Sequence, residues 1–496
     1  MIEKFGLKRN PFSKYSAEEE IEQIEKLFFK PNYYDTLIDD LKNGSSRFIL
    51  GQRGHGKSTL IHYLKNDLEK NQIFTIIIDK FDGIPTVNND RELIELVVKN
   101  IIKKLSIFLS KNSIDFNKLS KIEKDKLIIY INLFFETISK KEFEEIYNKV
   151  DRVKNKNFLI RIYNKIFLSK VNSITNTAIN ISSQIISQSL GYSVNSQIPY
   201  FEYFKELKEI QIDKVNIKET DLYTYDKLKS ILCDLVQIVK KLEFQSTVIL
   251  FDKIDEFKIL GQDLNKIVDF AKEILTDTEL LLQEDVSIAF SLWTEVRYLL
   301  NAKGVRFDKF KEIDVSWNRE NLEKIINKRL QFYSDNAEFN ISKLIVSTEN
   351  KKEIIDLANK SPRDLIRLLS SIYDVQVTNN PVASIFESNS ISKGCILFAQ
   401  NYDYISSHPS KTGAGNEVMP FIRKILLIKK HEFDLLDINK ALNQKTKNSE
   451  IYISKMLKLG LIVESEVGKT SDIRLYKVVD PKLKFLISRN ISNLEN

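Results

Sequence analysis

The 496-residue sequence predicts an α/β fold: a parallel sheet wrapped by helices, with a large helical insertion, a following helical segment and a small C-terminal domain of helices and strands. Three observations predict it. An apolar run, SRFILG (46–51), leads into a glycine-rich turn and the helix-patterned stretch KSTLIHYLKNDLEK. A second, β-branched run follows that helix, IFTIIIDKF (73–81), and a third, STVILFD (246–252), comes after a long helical stretch. Continuous apolar runs of this length are strands buried on both faces, and strand–helix–strand order builds a parallel sheet.

The other elements follow in order. Residues 1–45 form a Pro-punctuated arm, KRNPFSKYSAEEE, and helices with acidic starts; YYDTLIDDLKNG is a helix ending at Gly44. From about 90 to 240 the period is helical, too long for one crossover, so it is read as an insertion. Within it, residues 171–201 carry no charge, which suits a helix packed in the insertion's own core or a partner-facing surface. After the third strand come a helix at about 262–283, strands at VSIAFSLW (286–293) and KEIDVSW (311–317), and the helices NRENLEKIINKRLQFY and SPRDLIRLLSSIYDVQ. SSHPSKTGAGNE (406–417) has linker composition. The expected domains are an N-terminal arm (1–45), a core (46–317), a helical segment (318–405) and a C-terminal domain (418–496).

Composition sets bounds on function. With 43% hydrophobic and 29% charged residues the chain is globular, and its length calls for several domains. A formal charge of +7 permits contact with nucleic acid without requiring it. Cys233 and Cys395 are far apart, which argues against a disulfide framework and fits a reducing cytoplasm. The four histidines lack zinc-ligand spacing. The charged start MIEKFGLKRNPF has no apolar secretory segment, and no apolar run reaches membrane-spanning length.

GQRGHGKST (51–59) satisfies G-x-x-x-x-G-K-[ST] between a predicted strand and a predicted helix. Gly51, Gly54 and Gly56 let backbone N–H groups turn toward a phosphate without Cβ clashes. Lys57 would neutralise the terminal phosphate oxygens, Ser58 would ligate Mg²⁺ with Thr59 beside it, and the helix N-terminus adds positive potential. VILFDKIDEF (248–257) is the matching second half, a buried strand that delivers Asp252 to the Mg²⁺ shell. The expected fold is thus a P-loop NTPase parallel sheet, binding ATP and Mg²⁺.

ILFDKIDEF resembles the hhhhDxhDE pattern of origin-recognition (initiator) AAA+ ATPases and their STAND- and KAP-type relatives. The opening FGLKRNPF looks like the start of several bacterial P-loop ATPases of this broad group, and SPRDLIRLL (361–369) resembles the sensor 2 segment of an AAA+ helical lid. That resemblance implies that Arg363 touches the γ-phosphate, that Thr294 is the sensor 1 residue, and that Arg306, with Arg297 as runner-up, is an arginine finger. Lys253 stands where many such ATPases carry Glu, and a charged ammonium has no lone pair with which to accept a proton. Relatives keep an acid three residues after the first Asp, so the resemblance assigns Asp255 to ordering water, with Glu256 behind it.

Residues 418–485 read as helix, short strand (FDLLD), helix (INKALNQ), helix (NSEIYISKMLKLG) and two strands, LIVESE and DIRLYKVVD, joined by VGKTS. That is the order of a winged helix, with RLYKVVDPKLKFLI resembling the wing exit in the same ATPases. Such a domain lays its third helix in the major groove. Lys445, Lys447, Lys455 and Lys458 suit phosphates, whereas Glu450, Glu464 and Glu466 oppose them.

The expected function is a slowly hydrolysing AAA+-like ATPase switch that couples nucleotide state to duplex DNA through the winged helix. Arg306 acting in trans would imply a homo-oligomer. The alternative, drawn from architecture, is a nucleotide-gated signalling or oligomerisation scaffold in bacterial antiviral defence, meeting protein partners through the insertion. A small-molecule kinase would need neither a lid helix opening with SPR nor a winged helix.

Overall fold

The computed structural model describes residues 2–111, 113–134, 224–407, 418–443, 445–465 and 474–495. The uncharged stretch 171–201, the linker 408–417 and the VGKTS turn with Glu466 lie outside the described residues. The chain divides into two units. One comprises Met1–Asn71, Ile77–Val87 and Val248–Asn496; the other comprises Gln72–Ile76 and Asn88–Thr247.

Five strands form the main sheet: β1 (Arg47–Leu50), β2 (Phe74–Ile78), β3 (Thr247–Phe251), β4 (Val286–Leu292) and β5 (Glu312–Asp314), in the order β2-β3-β4-β1-β5. β1 pairs in parallel with β4 and with β5, Ile49 lying opposite Ser291 and Ile313. Every residue of β3 and β4 is buried, as their unbroken apolar character requires. Phe251 and Phe290 stack with centroids 4.9 Å apart, and Phe48 packs against Phe290 on the neighbouring strand. The expected α/β parallel sheet is present.

In the first unit, helices α1 (Tyr34–Lys42) and α2 (Lys57–Lys70) flank β1 in sequence. The second unit contributes α3 (Asp90–Lys111), α4 (Lys121–Phe134) and α5 (Tyr225–Lys241). There, Asp234 of α5 accepts from Lys126 and Tyr130 of α4, the lysine at 2.7 Å.

Back in the first unit, the helix expected at about 262–283 is broken. α6 (Leu264–Thr276) ends at Asp277, whose side chain accepts from Leu280 N–H and caps a separate turn, Thr278–Leu281. An Asp bonds its own downstream backbone, so it starts a new helix more readily than it continues one. Then come α7 (Val296–Ala302), α8 (Arg319–Phe332), α9 (Thr348–Leu357), α10 (Pro362–Asn379), α11 (Ser388–Gln400) and the short turn Tyr404–Ser407. Asn318, Ser347 and Ser361 cap α8, α9 and α10 by accepting from backbone N–H groups three residues on.

The C-terminal segment contains α12 (Val418–Ile428), β6 (Glu432–Phe433), α13 (Leu435–Leu442), α14 (Thr446–Lys458), β7 (Ile462–Glu464), β8 (Tyr476–Val478) and α15 (Pro481–Ser488). Its sheet is antiparallel, in the order β6-β8-β7. FDLLD is not all strand. Asp434 and Asp437 form a reciprocal capping box, so helix begins at Leu435 and only Glu432–Phe433 pairs.

Candidate nucleotide-binding cleft

The glycine-rich turn leaves β1 and enters α2 at one end of the sheet. Gly54 and Gly56 have φ of +82° and +85°, backbone that other residues adopt only with strain. Gly54 also has no room for a side chain: a Cβ there would lie 2.6 Å from the Ser361 hydroxyl oxygen. Gly51 is pressed against Val315 after β5, and its own added Cβ would meet that residue at 3.1 Å. His55 is clamped from both sides, its Nδ1 2.9 Å from Val315 O and its carbonyl accepting from Trp317 Nε1 at 2.8 Å. Burial lowers the His55 pKa, which keeps the ring neutral.

Lys57 is buried and donates to Gly51 O at 2.8 Å, with its Nζ 3.8 Å from Asp255 Oδ2. Asp252 leaves β3 with its N–H bonded to Ile78 O at 2.9 Å. It is 2% exposed, and its Oδ2 has no hydrogen-bond partner among the described residues. Burial raises the Asp255 pKa to about 6, Lys57 opposes that rise, and Glu256 and Asp252 add to it. Glu256 is exposed and lines the same cleft, as do Ser58 and Thr59.

The start of α10 packs directly on the loop. Arg363 N–H donates to Gly54 O at 3.3 Å, as does the Ser361 hydroxyl, also at 3.3 Å, and the Arg363 side chain lines the cleft. Arg53 donates from Nη1 to Ser406 O at 3.3 Å. Thr294 lies two residues past β4, exposed and away from the cleft lining. Arg306 is exposed and bonded to Asp308 through two nitrogens, and Arg297 is bonded likewise to Glu312, so neither reaches the cleft of its own chain.

Sequence reasoning missed the arm as a wall of the site. Lys14, Tyr15, Ser16, Glu20, Ile24 and Phe28 line the cleft together with Ile366. Arg329 of α8, 5% exposed, holds the arm: it bonds both Glu20 carboxylate oxygens and donates to Pro11 O and Lys14 O. Lys253 adopts left-handed backbone, φ +59°, at a cost of roughly 1–2 kcal/mol. Its ammonium is ion-paired with Glu18 of the arm and lies 4.0 Å from Asp79. Burial pushes the Glu18 carboxyl up, yet the Lys253 bond carries it below its ordinary value. The residue in the usual Glu position is thus an anchor for the arm. The only signal was the acidic run EEE within the Pro-punctuated arm.

No protein-family model and no curated protein matches the chain. Several solved structures resemble it along most of its length, three of which follow. The Aeropyrum pernix ORC1 protein in complex with DNA is 10% identical with a TM-score of 0.37, covering 95% of each chain. The Aeropyrum pernix ORC2 protein in its ADP form is 9% identical with a TM-score of 0.32, over 95% of this chain and 92% of that one. Drosophila ORC bound to DNA is 9% identical with a TM-score of 0.28, over 97% and 89%. These scores assign the chain to no family. No helix among the described residues is long and apolar enough to cross a membrane.

Proposed function

We propose that the cleft binds ATP with Mg²⁺ and hydrolyses it slowly. One observation carries this reading: a buried lysine, Lys57, lies on a glycine loop with two left-handed glycines, beside the buried carboxylates Asp252 and Asp255. The loop supplies inward backbone donors and Lys57 a charge for the terminal phosphates. The apolar residues Ile24, Phe28 and Ile366 in the cleft lining suit a base ring. Mg²⁺ fits the residues present, because Asp252 Oδ2 is buried without a partner and the Ser58 hydroxyl lines the same cleft. Ser58 and Asp252 would hold the ion, which would neutralise phosphate charge.

In this arrangement Lys57 has two claimants. Without nucleotide it pairs with Asp255, and a γ-phosphate competes for it. Drawing Lys57 toward phosphate frees the Asp255 carboxyl to orient water, and losing the lysine's charge raises its proton affinity further, which suits a proton acceptor. Glu256 is the second candidate base. Arg363 adds positive charge from the lid, and Arg306 serves a neighbouring chain or no cleft at all. Thr294 as a sensor would need to move toward the nucleotide. Without a finger in cis, turnover in the lone chain is slow.

The C-terminal segment is read as a winged helix that engages duplex DNA. Lys447, Ile451, Ser454 and Lys458 recur at four-, three- and four-residue steps on α14 and are all exposed, so they form one outward stripe with Lys445 and Lys455 nearby. Glu450 and Glu464 line a groove that Ser454 of the stripe also borders, so two acids flank the stripe and oppose phosphates on that side. The scaffold reading places its working surface on the insertion, whose residues 135–223, the uncharged stretch included, lie outside the described residues. Titration with duplex DNA at several salt concentrations, with and without ATP, tests the switch. Affinity that falls steeply with salt and differs with nucleotide supports it, and indifference to nucleotide rejects it.

A further inference from the structure

The first turn of α10 faces two ways. On one side Arg363 and Ser361 meet the glycine-rich loop at Gly54. On the other, Asp364, 7% exposed, accepts a hydrogen bond from the Tyr402 hydroxyl at 2.8 Å. Beside this pair lies a lysine from the C-terminal segment. Lys482, the second residue of α15, is 1% exposed. Its ammonium is 3.4 Å from Asp480 Oδ2, 4.0 Å from Asp364 Oδ2 and 4.0 Å from the centre of the Tyr402 ring. Asp480 also caps α15, accepting from Lys482 N–H at 2.6 Å, so the same carboxylate fixes the helix start and the buried charge.

We propose that Lys482 is a positioning residue that transmits the nucleotide state of the cleft to the C-terminal segment, through Asp364 and the start of α10. An apolar side chain at 482 would pack without requiring Asp364 in any one place. A buried ammonium cannot, because removal from water is offset only while its carboxylates and aromatic face stay in position. A shift of the α10 start that follows Arg363 onto a γ-phosphate therefore moves Asp364, and α15 must follow or lose a counter-charge. The reverse holds by linkage: whatever holds α15 biases Arg363 and alters nucleotide affinity by the same factor. A second ion pair, Arg489 to Glu353 of α9 at 3.2 Å, is exposed and contributes little. The route rests on the cleft binding nucleotide, as proposed above.

Hydrogen exchange on the full chain, with and without a non-hydrolysable ATP analogue and Mg²⁺, tests it. The expected result is protection of residues 51–59, together with a change of about fivefold or more in exchange over Pro481–Ser488. Lys482→Met should keep the first and lose the second. Tyr402→Phe, which deletes only the hydroxyl on Asp364, should reduce the second and decides the matter if Lys482→Met does not fold. Protection of 51–59 with no response in α15, or an equal response in the variants, overturns the route and leaves nucleotide binding standing. No protection of 51–59 removes both.

Discussion

At the residue scale, two carboxylates three positions apart have different surroundings and so different tasks. Asp252 is a buried acid with one oxygen unsatisfied, which suits a metal shell. Asp255 is a buried acid held by Lys57, with its pKa raised to about 6. Because the folded value exceeds the ordinary 3.8, its contribution to stability is complete below about pH 3.8 and is lost as pH rises through about 6. Asp255→Asn should therefore stabilise the nucleotide-free protein at pH 7, with the gain shrinking toward pH 4. Denaturant melts at the two pH values check this, and an equal effect at both would contradict it. The same substitution should lower ATP turnover far more than ATP affinity, with Glu256→Gln doing less; equal turnover in all three proteins would remove both acids from the reaction.

At the scale of elements, the cleft is built from segments distant in sequence. Arg329 ties the arm to α8 across more than 300 positions. Arg329→Ala should cost about 3–5 kcal/mol by leaving Glu20 without its counter-charge in a buried setting. A loss under about 1 kcal/mol in urea melts would show that the arm is held otherwise. Gly54→Ala adds a left-handed strain of roughly 1–2 kcal/mol and a Cβ that must push Ser361 away. ATP affinity, read by fluorescence of a labelled nucleotide, should fall with the fold retained, and unchanged affinity would mean the approach of Ser361 is irrelevant to binding.

The strand–loop–helix at 46–70 and the strand leading to Asp252 were legible in the sequence, because each carries its whole signal in contiguous residues. The arm was not. Glu18 and Glu20 carry no motif, and their meaning comes from Lys253 and Arg329, which are contiguous with them only after folding. Lys253 invited the question of a missing base when its role is to hold Glu18. Helix existence was read well and helix ends poorly, since Asp277 and Asp434 start new helices inside runs whose apolar period continues past them.

At the scale of the molecule, the proposed switch assigns nucleotide to the Lys57 cleft and duplex DNA to the exposed stripe on α14. Lys447→Glu with Lys458→Glu should weaken duplex binding at every sequence and flatten its salt dependence by about one unit of slope for each phosphate left without its lysine. ATP affinity measured without DNA should stay unchanged. If duplex binding survived both substitutions, the DNA surface would lie elsewhere and α14 would lose its assigned role.

All of this depends on the cleft holding ATP, and calorimetric titration of Mg-ATP into the parent and Lys57→Ala proteins tests that most directly. Saturable one-site binding to the parent is expected, with a loss on the order of a hundredfold or more in the variant, because a buried charge is removed from the phosphates. Equal affinity in the two proteins would contradict it.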